Sequence, residues 1–233
     1  MWLGLPFLYI YTMKSKIILT GATGMVGEGV VHECLLDEDV EKVLIINRRA
    51  FHDEHKKLEQ LIVPDFFDLQ ALKGKSIGYD AVFFCLGVSS VGMSKEDYYK
   101  KTYELTMNFA KTLVADNPNL VFCYISGAGT DSTEKGRIAW ARVKGKTEND
   151  LSKLPFRAVY NFRPGALEPT KGLRNTLGFY KWLGWLIPLI KLISLNGITT
   201  LKQLGIAMIS VARNGYDKKI IEVSDIKLIA GNQ

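Results

Sequence analysis

The sequence has 233 residues, 47% hydrophobic and 23% charged, enough for one large domain with a sizeable core; this excludes a disordered, collagen-like or low-complexity chain. The net charge is +6, but the lysines and arginines are scattered, which argues against a nucleic-acid arm and leaves a mildly basic surface with some charge for a phosphate pocket. Cys34, Cys85 and Cys123 are odd in number and form no CxxC pair, so no disulfide framework is expected and a reducing compartment, the cytoplasm, fits best.

Met1 to Thr12 is apolar but too short to span a bilayer, and it lacks a basic leader and a small-residue cleavage site. Met13-Lys14-Ser15-Lys16 looks like a natural start, so residues 1–12 read as a loose or mis-started extension and 13–233 as a single domain. Lys16 to Thr20 (KIILT) is a short apolar β run, Gly21 to Gly27 a glycine-rich turn, and Val30, Val31, Cys34 and Leu35 recur at helical spacing in a first helix ending near Asp37. Val43 to Asn47 (VLIIN) is a second strand and Leu61 to Val63 a third, stopped by Pro64-Asp65. His52-Asp53-Glu54-His55 lies between them; it has no distant third ligand and reads as a solvated loop, so no metal is expected.

Asp80 to Leu86 (DAVFFCL) is a fourth strand closed by Gly87, and a long helix follows over Lys95 to Asp116, terminated by Asn117-Pro118. Leu120 to Ser126 (LVFCYIS) is a fifth strand, Ile138 to Ser152 a helix, and Arg157 to Phe162 a sixth strand ending at Arg163-Pro164-Gly165. Strands that are apolar almost throughout suit burial on both faces of a parallel sheet, and their alternation with helices predicts a doubly wound α/β (Rossmann) fold. From 166 to 200 the pattern is irregular and suggests a lid or substrate region. Within it, Leu173 to Leu195 is rich in Leu, Ile and Trp, but its longest uncharged run is only Trp182 to Ile190, against the roughly twenty residues a spanning helix needs. A pocket lid or subunit contact is favoured there over a peripheral membrane contact. A helix over Thr200 to Arg213 and a last strand over Ile220 to Val223 complete the order.

Thr20-Gly21-Ala22-Thr23-Gly24-Met25-Val26-Gly27 sits between a strand and a helix, with glycines spaced GxxGxxG. The first glycine permits a tight turn, the second lets backbone approach a pyrophosphate, and the third allows close helix packing; the helix N-terminus offers free N–H groups to phosphates. Gly21, Thr23, Gly24, Met25, Val26 and Gly27 are therefore cofactor-binding candidates. An acidic residue at the end of the second strand would favour NAD, but the sequence reads Asn47-Arg48-Arg49. Arg48 and Arg49 can hold a 2′-phosphate, so NADP(H) is favoured over NAD(H). Asp65 and Phe66 could face the adenine; Cys85, Leu86 and Gly87 lie at the carboxyl end of the fourth strand, with backbone rather than thiol near the cofactor.

The TGATGMVG turn, the CLG after strand four, Ser126, Lys144 and the FRPG at 162–165 together resemble the atypical short-chain dehydrogenase/reductase superfamily over roughly residues 16–165. NRR, CLG, VKGKTE and FRPG look most like its Tat-interacting-protein group and bacterial relatives. The resemblance implies Lys144 on the cofactor ribose and Pro164, Gly165 and Ala166 against the nicotinamide end. It also implies a catalytic Ser, Tyr and Lys, of which Ser126 and Lys144 match. The Tyr position is Trp140, one helical turn before Lys144 on the same face, and an indole has no exchangeable acid of useful pKa. Tyr98, Tyr99, Tyr103, Tyr124 and Tyr160 are substitutes to consider, with Tyr124 the foremost because it shares a strand face with Ser126. The loop Gly127 to Ser132 could contact substrate. Two functions follow: an NADP(H)-dependent oxidoreductase or epimerase-like enzyme with altered acid chemistry acting on a small molecule, or a non-catalytic dinucleotide-binding sensor or scaffold with a protein partner. Oligomeric state is left open.

Overall fold

The computed structural model describes residues 14–175 and 197–231. Strands β1 (Ser15–Thr20), β2 (Val40–Asn47), β3 (Leu58–Ile62), β4 (Ala81–Phe84), β5 (Val121–Ile125), β6 (Ala158–Arg163) and β9 (Ile220–Glu222) form one parallel sheet in the order β3-β2-β1-β4-β5-β6-β9. Sequence order reverses between β1 and β4, which opens a crevice at the carboxyl ends of the strands where ligands of such sheets bind.

Both faces of the sheet are covered, which explains the unbroken apolar runs. Ile17, Leu19, Val43, Ile45, Phe83 and Phe162 point to one side, against α1 (Met25–Leu36), α5 (Leu201–Asn214) and α6 (Val223–Gly231). Ile18, Leu44, Ile46, Val82, Phe84 and Phe122 point to the other, against α3 (Leu105–Asp116) and the end of α4 (Ala139–Leu151). Alternate residues thus serve two cores. α1 and α5 pack closely: a Cβ on Gly29 would press on Leu201, and one on Gly205 on Glu33.

Several elements differ from the sequence reading. β3 begins at Leu58 rather than Leu61. Its polar residues disguise it, because it is an edge strand: Glu59 pairs with Lys42 of β2 at 2.7 Å, and Gln60 makes two hydrogen bonds to the Phe51 backbone at 2.8 and 2.9 Å. The helix predicted over 95–116 is α2 (Lys95–Tyr99), a π-helical turn Lys100–Glu104, then α3. At that turn the Thr106 hydroxyl donates to the Thr102 carbonyl at 2.6 Å, a local competition with the helical ladder. The region expected to be irregular contains β7 (Ala166–Glu168) and β8 (Ile198–Thr200), a separate parallel pair, and α5 opens on a Thr200/Gln203 capping box. α6 was not foreseen; it follows β9 directly, with Asp225 accepting the Glu222 amide at 3.1 Å. The apolar stretch at 173–195 falls mostly, and the 1–12 extension wholly, outside the described residues. No helix among the described residues is long and apolar enough to cross a membrane.

Candidate dinucleotide site

The glycine turn hangs from the end of β1 and is fixed from two sides. Gly21 adopts φ +77°, a left-handed conformation that suits glycine, and a Cβ there would lie 2.8 Å from the Cys85 carbonyl and the Leu86 amide nitrogen. This makes the CLG motif intelligible: Cys85 and Leu86 offer backbone that abuts the turn, while the thiol of Cys85 is pushed far up by burial and is no acid–base group. A Cβ on Gly27 would run into the Gly21 carbonyl, so the helix can approach the turn only with glycine there. Gly24 donates to the Gly21 carbonyl at 2.9 Å and stands at the N-terminus of α1 with no side-chain cap. Thr23 and Gly24 are exposed, Met25 and Val26 largely covered. A first helical turn lacking a cap leaves N–H donors open to a ligand.

Asn47, not singled out before, holds the other side. Its Oδ1 accepts the amides of Gly21 and Ala22 at 3.1 and 3.2 Å. Its Nδ2 is buried and has no partner among the described residues, an uncommon state for a buried donor. The signal for it in the sequence is an asparagine that ends a strand beside a glycine turn. A cradle closed to a Cβ at Gly21 and Gly27, an uncapped helix start and an orphaned amide donor together fit a phosphate-bearing dinucleotide.

Arg48 and Arg49 are exposed just beyond β2. Arg49 lines a cavity of about 230 Å³ with Thr23, Glu28, Phe51, Asp53 and Arg174. The volume falls below the roughly 300–1,000 Å³ of whole-ligand pockets, so it suits one end of a ligand. Glu28 and Arg174 were not anticipated. Phe66 requires a correction: its ring stacks on Phe109 at a centroid distance of 5.7 Å, 2% exposed, so it belongs to the core rather than beside an adenine. Asp65 is exposed, its carboxylate accepting the Phe67 amide at 2.9 Å, and Gly87 is exposed at the sheet end.

At the carboxyl end of β5, Ser126 is buried, its hydroxyl 2.9 Å from that of Thr130, which in turn donates to the Gly127 carbonyl at 2.8 Å. Lys144 is partly buried, donating to the carbonyls of Ser126 and Ile125 at 3.0 and 3.3 Å; desolvation lowers its pKa to about 8, opposed by Glu148. Ser126 and Lys144 are therefore brought together. Trp140 is half-buried and faces the 127–131 loop, its ring 3.7 Å from where a Gly129 Cβ would lie. Tyr124 is corrected as a substitute acid: it lies in the core beneath the sheet, 2% exposed, and burial drives its hydroxyl far above the ordinary range. The Tyr103 hydroxyl donates to Asp150 at 2.7 Å and that of Tyr160 to the Tyr216 carbonyl at 3.3 Å.

The VKGKTE and FRPG motifs meet here in a largely structural cluster. Arg163 clasps Glu148 through Nε at 3.0 Å and a terminal nitrogen at 2.5 Å, and also reaches Glu222 at 3.2 Å and Ser132 at 2.5 Å. Gly145 admits the Asp131 backbone, which a Cβ would strike. Gly165 likewise leaves room for the Gly197 carbonyl, which accepts the Ala166 amide at 3.0 Å, while the Pro164 carbonyl accepts from Ala128.

A doubly wound parallel sheet with a glycine cradle at its switch point defines a dinucleotide-binding α/β protein. The chain belongs to the NAD dependent epimerase/dehydratase family, whose model matches residues 17–136. It is an atypical short-chain dehydrogenase/reductase with Tat-interacting-protein relatives. It is 26% identical over 229 residues to a Candida albicans protein named "Protein FMP52, mitochondrial", covering 93% of this chain and 94% of that one. It is 27% identical over 161 residues to rat "Protein HTATIP2", covering 67% of this chain and 65% of that one. Among solved structures, the Bordetella bronchiseptica enzyme WbmF in complex with NAD+ is similar at TM-score 0.64 and 15% identity, covering 94% of this chain and 77% of that one. Helicobacter pylori ADP-L-glycero-D-manno-heptose-6-epimerase is similar at TM-score 0.65 and 15% identity, with 95% and 83% covered.

Proposed function

We propose that the chain is an NADP(H)-dependent oxidoreductase or epimerase-like enzyme acting on a small carbonyl or sugar-type substrate, with acid chemistry altered by Trp140. The observation that carries the cofactor half is the cradle of Gly21, Gly24 and Gly27 braced by Asn47, with Arg49 beside it and no acidic residue at the end of β2. The turn and the first helical turn of α1 would hold the diphosphate, Arg48 and Arg49 the 2′-phosphate, and Lys144 with the 164–166 segment the nicotinamide end. Bound there, the nicotinamide would supply or accept a hydride.

The chain's own groups set limits on the chemistry. The Thr130 hydroxyl donates to the Gly127 carbonyl and Ser126 to Thr130, so Ser126 would polarise a substrate carbonyl only by turning its one O–H away from Thr130. Trp140 cannot give up a proton, and losing a positioned general acid costs about 10²–10⁴-fold in rate. The proton would come from water or substrate, and turnover would be slow. A second reading, a non-catalytic sensor for the dinucleotide, is supported by the same end of the sheet: Lys144 and Ser126 already have partners inside the protein. A location in the cytoplasm fits the three free cysteines; the yeast relative's name raises the mitochondrion as the alternative.

The test is calorimetric titration with NADPH and NADH, followed by NADPH oxidation across a panel of carbonyl substrates by the native chain and by Trp140→Tyr. The enzyme reading expects preferential NADPH binding, slow native turnover and a gain of about 10²-fold or more in the variant. Tight binding without native oxidation of any substrate would replace it with the sensor reading.

A further inference from the structure

The carboxylate of Glu28 is an anomaly. It sits in the first turn of α1, 3% exposed, at the helix end that would face a diphosphate. A buried charge survives only if it is well bonded, and both oxygens are: Oε1 accepts the Arg174 amide at 2.8 Å and Oε2 the Asn175 amide at 2.7 Å. Two backbone donors from a segment 146 residues away thus converge on one side chain. The outcome is to pin that segment across the start of α1, so that Arg174 borders the same cavity as Arg49 and Thr23. The Arg174 guanidinium remains 69% exposed, and among the described residues its charge is opposed by a 3.6 Å pair with half-exposed Asp53. A pair that open contributes little, and the guanidinium is free to turn to a stronger anion.

We propose that Arg174, positioned by Glu28, is a further specificity-determining residue that binds the 2′-phosphate of NADP(H) together with Arg49. This rests on the NADP(H) reading above and adds a ligand from the far side of the fold. A planar guanidinium offers paired N–H donors to phosphate oxygens. Glu28 does not touch the phosphate. With both oxygens engaged by amides, it fixes where Arg174 leaves the chain.

The experiment is titration of the full chain with NADPH, NADH, 2′,5′-ADP and 5′-AMP, for the native protein and for Arg174→Gln, Arg174→Lys, Glu28→Gln, Arg49→Gln and, as a remote control, Arg157→Gln. Arg174→Gln should weaken NADPH and 2′,5′-ADP about tenfold or more while leaving NADH and 5′-AMP within twofold, since the charge-assisted hydrogen bonds it removes exist only with the 2′-phosphate. Arg174→Lys should recover part of the loss. Glu28→Gln, which puts an amide N–H₂ where one backbone donor now points, should show the same selective loss. Arg174 lies on the surface, so its variants test the proposal even if Glu28→Gln fails to fold. Equal losses for NADPH and NADH, or no loss, would overturn the assignment. If the native chain itself shows no preference for NADPH over NADH, the NADP(H) reading fails and takes this proposal with it. If the native preference is strong and Arg49→Gln abolishes it while Arg174→Gln does not, only this inference falls.

Discussion

The two ends of the crevice treat their polar groups in opposite ways. At the β1–β2 end, donors are left open: the α1 terminus has no side-chain cap, the Asn47 amide donor is buried without a partner among the described residues, and Arg48 and Arg49 are exposed. At the β5–β6 end, the groups nearest the expected chemistry are already bonded within the protein: Lys144 to two carbonyls, Ser126 to Thr130, Arg163 to Glu148, Glu222 and Ser132; Asn161 of β6, whose buried Oδ1 has no partner among the described residues, is the exception. The first end is prepared for a ligand. The second is consolidated, and a catalyst built there must work with fewer free groups than the Ser, Tyr and Lys set would provide. Retention of a binding end beside an internally satisfied chemical end is what separates the enzyme and sensor readings.

The sharpest way to break the contrast is at Gly27. A methyl group there collides with the Gly21 carbonyl, so Gly27→Ala must push α1 away from the turn or reshape the turn itself. Loss of dinucleotide affinity by more than about 100-fold is expected, corresponding to at least ~2.7 kcal/mol, with the sheet retained by circular dichroism. Unchanged affinity in calorimetry would mean that the ligand does not use this cradle.

The opposite end should respond in stability rather than binding. Glu148 is 2% exposed and bidentate on Arg163. Breaking a buried pair by removing one partner typically costs about 3–5 kcal/mol, because the remaining charge stays buried. Glu148→Gln is therefore expected to lower the urea midpoint strongly while changing the NADPH-to-NADH affinity ratio little. A variant of normal stability that loses selectivity would place this cluster in the binding end after all.

The same division marks what could be read from the sequence. Strand–turn–helix order and unbroken apolar runs carry the sheet, because burial on both faces leaves few polar interruptions; the polar edge strand β3 escapes that rule. The glycine turn is legible because its residue types follow from backbone geometry. Glu28 and Arg174 are not legible, since their meeting depends on a contact spanning 146 residues, although a charged residue between Gly27 and Gly29 in a close-packed turn was a hint. Phe66 and Tyr124 mislead for a common reason: position after or within a strand says which end of the sheet a residue occupies, but the face decides whether its ring meets ligand or core. The VKGKTE and FRPG motifs likewise suggest chemistry by resemblance, while much of their content here is the Arg163–Glu148 clasp and the close approach at Gly145.

Lys144, at the β5–β6 end, gives the smallest but most informative effect. Its pKa is lowered from 10.5 to about 8, with burial the leading cause. Below pH 8 the native state carries a partly desolvated ammonium that the unfolded chain would leave in water, so the full cost is present there. Between pH 8 and 10.5 the unfolded chain still binds a proton that the native chain has released, and the cost fades as pH rises; above 10.5 both forms are neutral and it is gone. The two carbonyl hydrogen bonds offset part of it. Lys144→Met should therefore raise stability at pH 7 by about 1–2 kcal/mol, less than the ~3 kcal/mol ceiling set by the shift. The gain should shrink or reverse near pH 10.5, measured as paired urea unfolding curves. Equal destabilisation at both pH values would show that the ammonium is fully satisfied where it lies. Repeating the native curves with saturating NADPH extends the test to function. If Lys144 gains a ribose hydroxyl as acceptor, its charged form is stabilised and the fading of its cost moves toward higher pH; if the window stays in place, Lys144 remains with its carbonyls and the sensor reading gains weight.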